Sequence, residues 1–328
     1  MASIEMEFLR TQLLTRRQKL GVLATSFTNG TALLSLLREV DSALERMEKG
    51  SYGICEECHE AVEADRLLAD PLTCYCLDHL NAEQRQALQE DLDLAGRIQK
   101  ALLPPRNLHA EGWQVHYHYE PAGPVSGDYC DLVIPDNKSG DLYFALGDVS
   151  GKGVAASLLM SHLHAMFRSL TSVNMPLDQL LARANRVFCE STTAGQYATL
   201  VCGRAARSGE VELASAGHPS ALLVRKGRVE PLAATGLPLG MFSNGEYSTR
   251  KTSLASGDNL VLYTDGISET KDKSSSEYGE DRLARLAGER HALAPEALTA
   301  ACLADLSAFS AGVPHTDDRT LLVLRRAA

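Results

Sequence analysis

Leu142-Tyr143-Phe144-Ala145-Leu146-Gly147-Asp148-Val149-Ser150-Gly151-Lys152-Gly153 begins as an apolar run and ends as a turn. Residues 142–146 read as a buried strand. Gly151 and Gly153 let the backbone turn tightly and approach a ligand. The apolar periodicity that follows, Val154 to Leu170, reads as a helix. A carboxylate is thus delivered where a strand gives way to a turn. There Asp148 can bridge two divalent cations, and the carbonyl of Val149 can add a ligand, because Mg²⁺ and Mn²⁺ prefer oxygen donors. A glycine-rich phosphate cradle is the competing reading. Gly151-Lys152-Gly153 lacks the Walker spacing and the Ser or Thr that would follow it.

Working outward, the same design recurs. Gly127-Asp128-Tyr129-Cys130-Asp131 is an acidic cluster at an expected strand edge. Leu260-Val261-Leu262-Tyr263 runs into Thr264-Asp265-Gly266, and Asp317-Asp318-Arg319-Thr320 precedes a final apolar run. Singly, each Asp suits a turn or a helix cap. Together they predict a carboxylate cup, and paired metals in such a cup cleave phosphate esters. Further strands are expected over 114–119, 198–202, 211–214, 221–224, 259–263 and 320–324, with helices over 177–191 and 295–309. Strands in runs with helices grouped between them predict an α+β fold of stacked sheets flanked by helices. Lys271 to Ser276 reads as a mobile polar loop. Cys130 has no Cys-x5-Arg phosphate loop around it, since position 136 is Asp, and reads as a packed strand residue. His218, in Ala216-Gly217-His218-Pro219, reads as a structural turn histidine in preference to a general acid.

The chain has 328 residues, enough for two domains, and a net charge of −10 from 32 basic and 42 acidic residues. That balance disfavours nonspecific nucleic-acid binding, which needs a basic surface. No apolar run reaches bilayer length. The first residues lack a basic start and an apolar stretch, so a cytoplasmic address is expected. Of eight cysteines, Cys55, Cys58, Cys74 and Cys76 crowd into one segment. That crowding predicts a metal site and not a disulfide framework. Cys55-Glu56-Glu57-Cys58 and Cys76-Leu77-Asp78-His79 repeat one spacing, so Cys55, Cys58, Cys76 and His79 are the expected tetrahedral Zn²⁺ ligands, with Cys74 an alternative. Before them, leucines at helical spacing on either side of Thr28-Asn29-Gly30 predict a helical hairpin ending at Gly50. After them, a helix over 81–103 carries Leu88, Leu92, Ala95 and Leu102 and ends at Pro104-Pro105. It packs on its own domain or forms a dimer seam.

Ala43-Leu44-Glu45-Arg46-Met47 followed by Gly50-Ser51-Tyr52-Gly53-Ile54-Cys55-Glu56-Glu57-Cys58 resembles the zinc-finger end of the DksA/TraR family. That resemblance implies an RNA polymerase partner contacted through acidic residues at the hairpin tip. The expected tip here, residues 24–30, carries no acidic residue. The module therefore reads as an interaction, dimerisation or sensing element.

A second resemblance covers roughly residues 91–326. Leu94-Ala95-Gly96-Arg97-Ile98-Gln99-Lys100-Ala101-Leu102-Leu103-Pro104, Ser126 to Asp131, Gly147 to Gly153, Ala216 to Pro219, Gly236-Leu237-Pro238-Leu239-Gly240, Tyr263 to Glu269, Tyr278-Gly279 and Asp317 to Thr320 follow one another in this order. The series resembles the SpoIIE/RsbU-type branch of the PPM serine/threonine phosphatases. The resemblance implies an αββα sandwich and two Mn²⁺ or Mg²⁺ ions. It implies Asp148 as the bridging ligand beside the Val149 carbonyl, and Asp265 and Asp317 as ligands of one ion. Asp128 would reach the other ion through water, and Asp318 could exchange with Asp317. It also implies a phosphorylated STAS-domain substrate in a sigma-factor partner-switching pathway. The expected organisation is a hairpin plus zinc finger (1–80), a connector helix (81–105) and a phosphatase domain (106–328). The competing reading is a non-catalytic zinc-finger regulator on a degenerate phosphatase fold.

Overall fold

The computed structural model describes residues 3–26, 31–79, 82–110, 112–135, 140–173, 175–192 and 195–327. The chain divides into two compact units at Glu90/Asp91. The first holds α1 (Ser3–Ser26), α2 (Thr31–Lys49) and the short α3 (Ala64–Ala69), then a 3-10 turn at Leu77–His79. Residues 27–30 of the expected hairpin tip lie outside the described residues. Leu9 and Leu13 of α1 meet Val40 and Ala43 of α2, and the same core takes in Tyr52, Cys55, Val62, Leu67 and Cys76. A core this small cannot be large enough to hold alone, and folds of this size are commonly stapled by a metal.

Helix α4 (Ala82–Leu102) runs across the boundary. Within the second unit Leu92, Ala95 and Leu102 are half-buried, whereas Leu94 and Ile98 are exposed, as is Leu88 before the boundary. The heptad stripe therefore splits: from Leu92 onward it packs on its own domain. Gln99, a buried polar residue of this helix, donates Nε2 to the Ser126 carbonyl at 2.7 Å and accepts the Ser126 N–H at 2.9 Å.

The second unit is two antiparallel sheets. One has the order β1-β2-β11-β10-β7-β8, with β1 (Asn107–Ala110), β2 (Trp113–Glu120), β7 (Ala221–Arg225), β8 (Arg228–Leu232), β10 (Asn259–Tyr263) and β11 (Arg319–Arg326). The other has the order β3-β4-β5-β6-β9, with β3 (Asp128–Val133), β4 (Leu142–Val149), β5 (Ala198–Ala205), β6 (Glu210–Ala216) and β9 (Arg250–Ser253). Side chains alternate between the two faces of each strand. Leu142, Phe144 and Leu146 of β4 face Leu260, Leu262, Leu322 and Leu324 in the core between the sheets. Tyr143, Ala145 and Val149 face outward onto α5 (Gly153–Ser172) and α6 (Leu177–Ser191). Val261, Tyr263, Leu321 and Val323 face α8 (Glu280–Glu289) and α9 (Pro295–Ser310) on the opposite side. The result is an αββα sandwich.

Most expected strands and helices stand within a residue or two of their places. Asp128, however, opens a strand and does not follow one, because the Asp128–Val133 segment pairs in register with 143–148 of β4. Strands β1, β8 and β9, helix α8 and the short helix α7 (Asp265–Ser268) were not legible beforehand. The polar stretch 271–276 is a closed loop, with Asp272 Oδ1 accepting from the backbone N–H groups of Ser274 and Ser276. No helix among the described residues is long and apolar enough to cross a membrane.

Candidate functional site

Alternation along the strands decides which side chains meet. Asp148 shares the inner face of β4 with Leu142, Phe144 and Leu146, and Asp128 shares the inner face of β3 with Cys130 and Leu132. The two aspartates are register partners, so both carboxylates emerge at one edge of the inter-sheet layer. From the other sheet, Thr264 directly follows β10 and Thr320 sits in β11 with the same inward parity as Leu322 and Leu324. Both hydroxyls donate to Asp128 Oδ2, at 2.9 Å and 2.5 Å. Asp128 is buried, and burial first, then the Asp148 charge, pushes its carboxyl well above the usual range; the two threonines oppose that push.

Asp265 begins α7 one residue past Thr264. Gly266 follows because nothing larger fits: a Cβ there would lie 1.9 Å from the Asp318 carbonyl oxygen. That close approach brings the 317–318 backbone alongside Asp265. Asp317 and Asp318 then do different work. Asp318 spends both oxygens on the loop between β2 and β3, accepting the N–H of Ala122 at 2.7 Å and of Gly127 at 2.8 Å. Asp317 accepts its neighbour's N–H on Oδ1 and the Lys152 ammonium on Oδ2, at 3.1 Å each. The Asp265 carboxyl is pushed up by burial and by the Asp317 charge.

Asp148 is pushed up to about 7, by burial first and then by Asp265, Asp317 and Asp318. An unfolded Asp ionises near about 3.9. The folded group keeps its proton to about 7, so between those pH values the folded state binds more protons than the unfolded one. Stability therefore falls as pH rises through that window. Without divalent ions, the melting temperature is expected to drop from pH 5 to pH 7.5 more steeply in the wild type than in Asp148→Asn. Equal slopes would remove the buried Asp148 charge as the cause. A cluster of carboxylates that repel one another in a partly buried cup is the oxygen-rich donor set a hard divalent cation satisfies, and in that sense the residues fit one.

Two members of the sequence clusters lie elsewhere. Asp131 has the opposite parity to Asp128 and points to the outer face, where Arg168 of α5 grips it through two bonds of 2.6 Å and 2.7 Å and Tyr129 donates to it at 3.2 Å. It is a buried, paired charge that fixes α5 on the sheet. Cys130 is buried in the inter-sheet core, and burial pushes its thiol far up. His218 is buried too; its Nδ1 lies 2.9 Å from Thr199 Oγ1, and burial lowers it to about 3, which holds the ring neutral. The loop carrying it packs on the Gly236–Gly240 loop, with the Gly217 N–H bonded to the Gly236 carbonyl at 2.9 Å.

In the first unit, one donor atom from each of Cys55, Cys58, Cys76 and His79 falls within 4.8 Å of the others. Cys58 and Cys76 sulfurs are 3.7 Å apart, and Cys76 Sγ is 3.2 Å from His79 Nδ1. Burial works against the Cys55 thiolate, yet the N–H groups of Cys58, Cys76 and Glu57 outweigh it and lower the thiol to about 6. Three thiols and an imidazole in that arrangement fit Zn²⁺. Cys74 stands outside the cluster; its carbonyl accepts the Glu56 N–H at 3.0 Å.

The fold and its acidic edge define a PP2C-like phosphatase sandwich. The SiaA-PP2C domain of Pseudomonas aeruginosa superposes with a TM-score of 0.66 at 21% identity, covering 75% of this chain and 99% of that one. The RsbU and RsbW domains of Rv1364c from Mycobacterium tuberculosis superpose with a TM-score of 0.58 at 27% identity, covering 69% and 62%. Residues 138–327, more than half of the chain, match Stage II sporulation protein E (SpoIIE), and the protein belongs to the SpoIIE family. Residues 50–78 match the prokaryotic dksA/traR C4-type zinc finger. In this chain the described cluster takes His79 as its fourth member, one residue beyond that match. Phosphoserine phosphatase RsbU of Bacillus subtilis (strain 168) is 29% identical over 245 residues, 74% of this chain and 72% of RsbU. Across the curated relatives it matches, the chain spans from 35% to 72% of their length.

Proposed function

We propose that the chain is a divalent-metal-dependent protein serine/threonine phosphatase, acting in the cytoplasm on a phosphorylated STAS-domain anti-anti-sigma factor of a partner-switching pathway. The observation that supports the reading is that Asp265, at the start of α7, and Asp317, in the loop before β11, both lie near enough to Asp148, at the end of β4, for their charges to push its carboxyl up. The substrate class rests on similarity to phosphoserine phosphatase RsbU and to a protein that joins RsbU and RsbW domains.

Asp148, the Val149 carbonyl, Asp265 and Asp317 would hold two Mn²⁺ or Mg²⁺ ions, with Asp128 reaching one through water; Asp318, whose two oxygens are taken by backbone N–H groups, is the weaker candidate beside Asp317. Bound there, such ions supply positive charge for the phosphoryl oxygens and lower the pKa of water. The chain's own part is positional. The two threonine hydroxyls fix Asp128, and Asp318 holds the 122–127 loop by two backbone N–H groups. The two side chains that could tempt one toward another mechanism are withdrawn: Cys130 is sealed in the core and His218 is buried on the turn after β6. Direct attack by water on phosphorus, without a phospho-enzyme, is the chemistry this arrangement suits.

The Cys55, Cys58, Cys76 and His79 module would hold one structural Zn²⁺ and regulate the phosphatase through α4. The exposed Leu88, Leu94 and Ile98 of that helix suit a homodimer seam. The test is turnover with Mn²⁺ on a panel of phosphorylated STAS-domain proteins, with and without residues 1–80. Release of phosphate from at least one of them is expected. No turnover on any phosphoprotein would favour a scaffold, and unchanged activity, oligomeric state and partner response after the deletion would remove the regulatory role.

A further inference from the structure

Lys152 stands between Gly151 and Gly153, whose φ values of +97° and +70° belong to the left-handed region that glycine enters freely. Lys152 itself is extended, with φ −139° and ψ 165°. This turn sends its side chain from the end of β4 to the loop before β11. There the ammonium donates to the Thr316 carbonyl at 2.6 Å and to Asp317 Oδ2 at 3.1 Å. A carbonyl and a carboxylate oxygen are the donors a hard cation uses. Among the described residues, Lys152 is the only basic side chain in ion-pair contact with Asp148, Asp265 or Asp317.

The pair is suited to being exchanged. Asp317 Oδ1 already accepts the Asp318 N–H, so Oδ2 is the oxygen an incoming cation would contest with Lys152. Both side chains are more than half exposed, at 64% and 54%. Exposed ion pairs are weak, so a divalent ion can displace the ammonium at small cost. A lysine suits the task better than an arginine, since it is a compact charge on a flexible stem and is not held by a bidentate fork.

We propose that Lys152 competes with a divalent cation for Asp317, and that an ion taking Asp317 frees the Lys152 ammonium to meet the substrate's phosphoryl oxygens. Lys152 would then be a positioning residue for Asp317 and a phosphate-contacting residue once released. The inference rests on the reading of the cup as a divalent-cation site.

The experiment is Mn²⁺ titration of the zinc-loaded full chain, with free Mn²⁺ read by electron paramagnetic resonance, for wild type, Lys152→Met, Lys152→Gln and Lys152→Arg. The neutral variants are expected to bind Mn²⁺ about two- to fivefold more tightly, on the scale of an exposed ion pair. At saturating Mn²⁺ their kcat/KM on p-nitrophenyl phosphate should fall about tenfold or more, and Lys152→Arg, whose fork can hold Asp317 at least as firmly, should bind Mn²⁺ no more tightly than the wild type. A merely structural lysine would leave affinity unchanged or weaken it on removal, and either result in both neutral variants overturns the inference. If the wild type itself takes up no Mn²⁺ beyond its zinc site, the reading of the cup falls, and the Lys152 inference falls with it. Uptake by the wild type with no change in the variants overturns the Lys152 inference alone.

Discussion

Asp148→Asn is expected to lower phosphoserine turnover by about 10³-fold or more, some 4 kcal/mol of transition-state stabilisation at about 1.36 kcal/mol per decade. The change keeps the side chain's size and removes its charge. Asp148 is the member of the cup that feels Asp265, Asp317 and Asp318 together, and its register partner is Asp128. Losing its charge therefore weakens the whole cup's hold on cations. The same substitution relieves a desolvated, repelled carboxylate. Without divalent ions the variant should melt at or above the wild-type temperature, and added Mn²⁺ should raise its melting temperature less than the wild type's. Gain of metal-free stability with loss of turnover separates a functional charge from a packing role. Retention of more than a tenth of wild-type turnover would sink the assignment of Asp148.

Legibility followed the physics of each segment. The Leu142–Leu146 run followed by Gly151 and Gly153 carries its own strand-to-turn signal, and the structure delivers Asp148 where that signal placed it. Asp265 was readable for the same reason. Asp131 was not, because a two-residue period puts Asp128 and Asp131 on opposite faces, and proximity in sequence hid the difference. The partner that claims it, Arg168, lies 37 residues away on α5. Thr264 and Thr320 went unread as the clamps of Asp128. Parity was available as a clue: each continues the inward series of its strand, and a hydroxyl at the end of a buried apolar series needs an acceptor. Asp317 and Asp318 could not be separated from sequence, since only the path of the 122–127 loop shows where the Asp318 oxygens are spent. In the first unit the repeated x-x spacing pointed to His79 ahead of Cys74, and the donor atoms cluster that way.

Cys55→Ser is expected to abolish zinc retention and to unfold the region around residues 50–79. Cys55 is at once a proposed ligand and a buried member of the first unit's core, packed with Tyr52, Val62 and Leu67. The strand-like knuckle around it is thin: the Cys55 N–H bonds to the Glu60 carbonyl and the Val62 N–H to the Gly53 carbonyl, each at 2.8 Å. Structural zinc in finger peptides contributes about 10–16 kcal/mol to folding at pH 7. A core of this size supplies only about 3–5 kcal/mol, so the loss of zinc exceeds what packing can offset. Hydrogen exchange should show protection across 50–79 collapsing in Cys55→Ser and in chelator-treated wild type alike. Cys74→Ser should keep both zinc and protection, because Cys74 lies outside the donor cluster. The phosphatase sandwich has its own three cores, and its exchange protection should persist in every variant. If Cys74→Ser lost zinc and a His79→Ala variant kept it, the fourth ligand would be the cysteine and the three-cysteine, one-histidine assignment would fail.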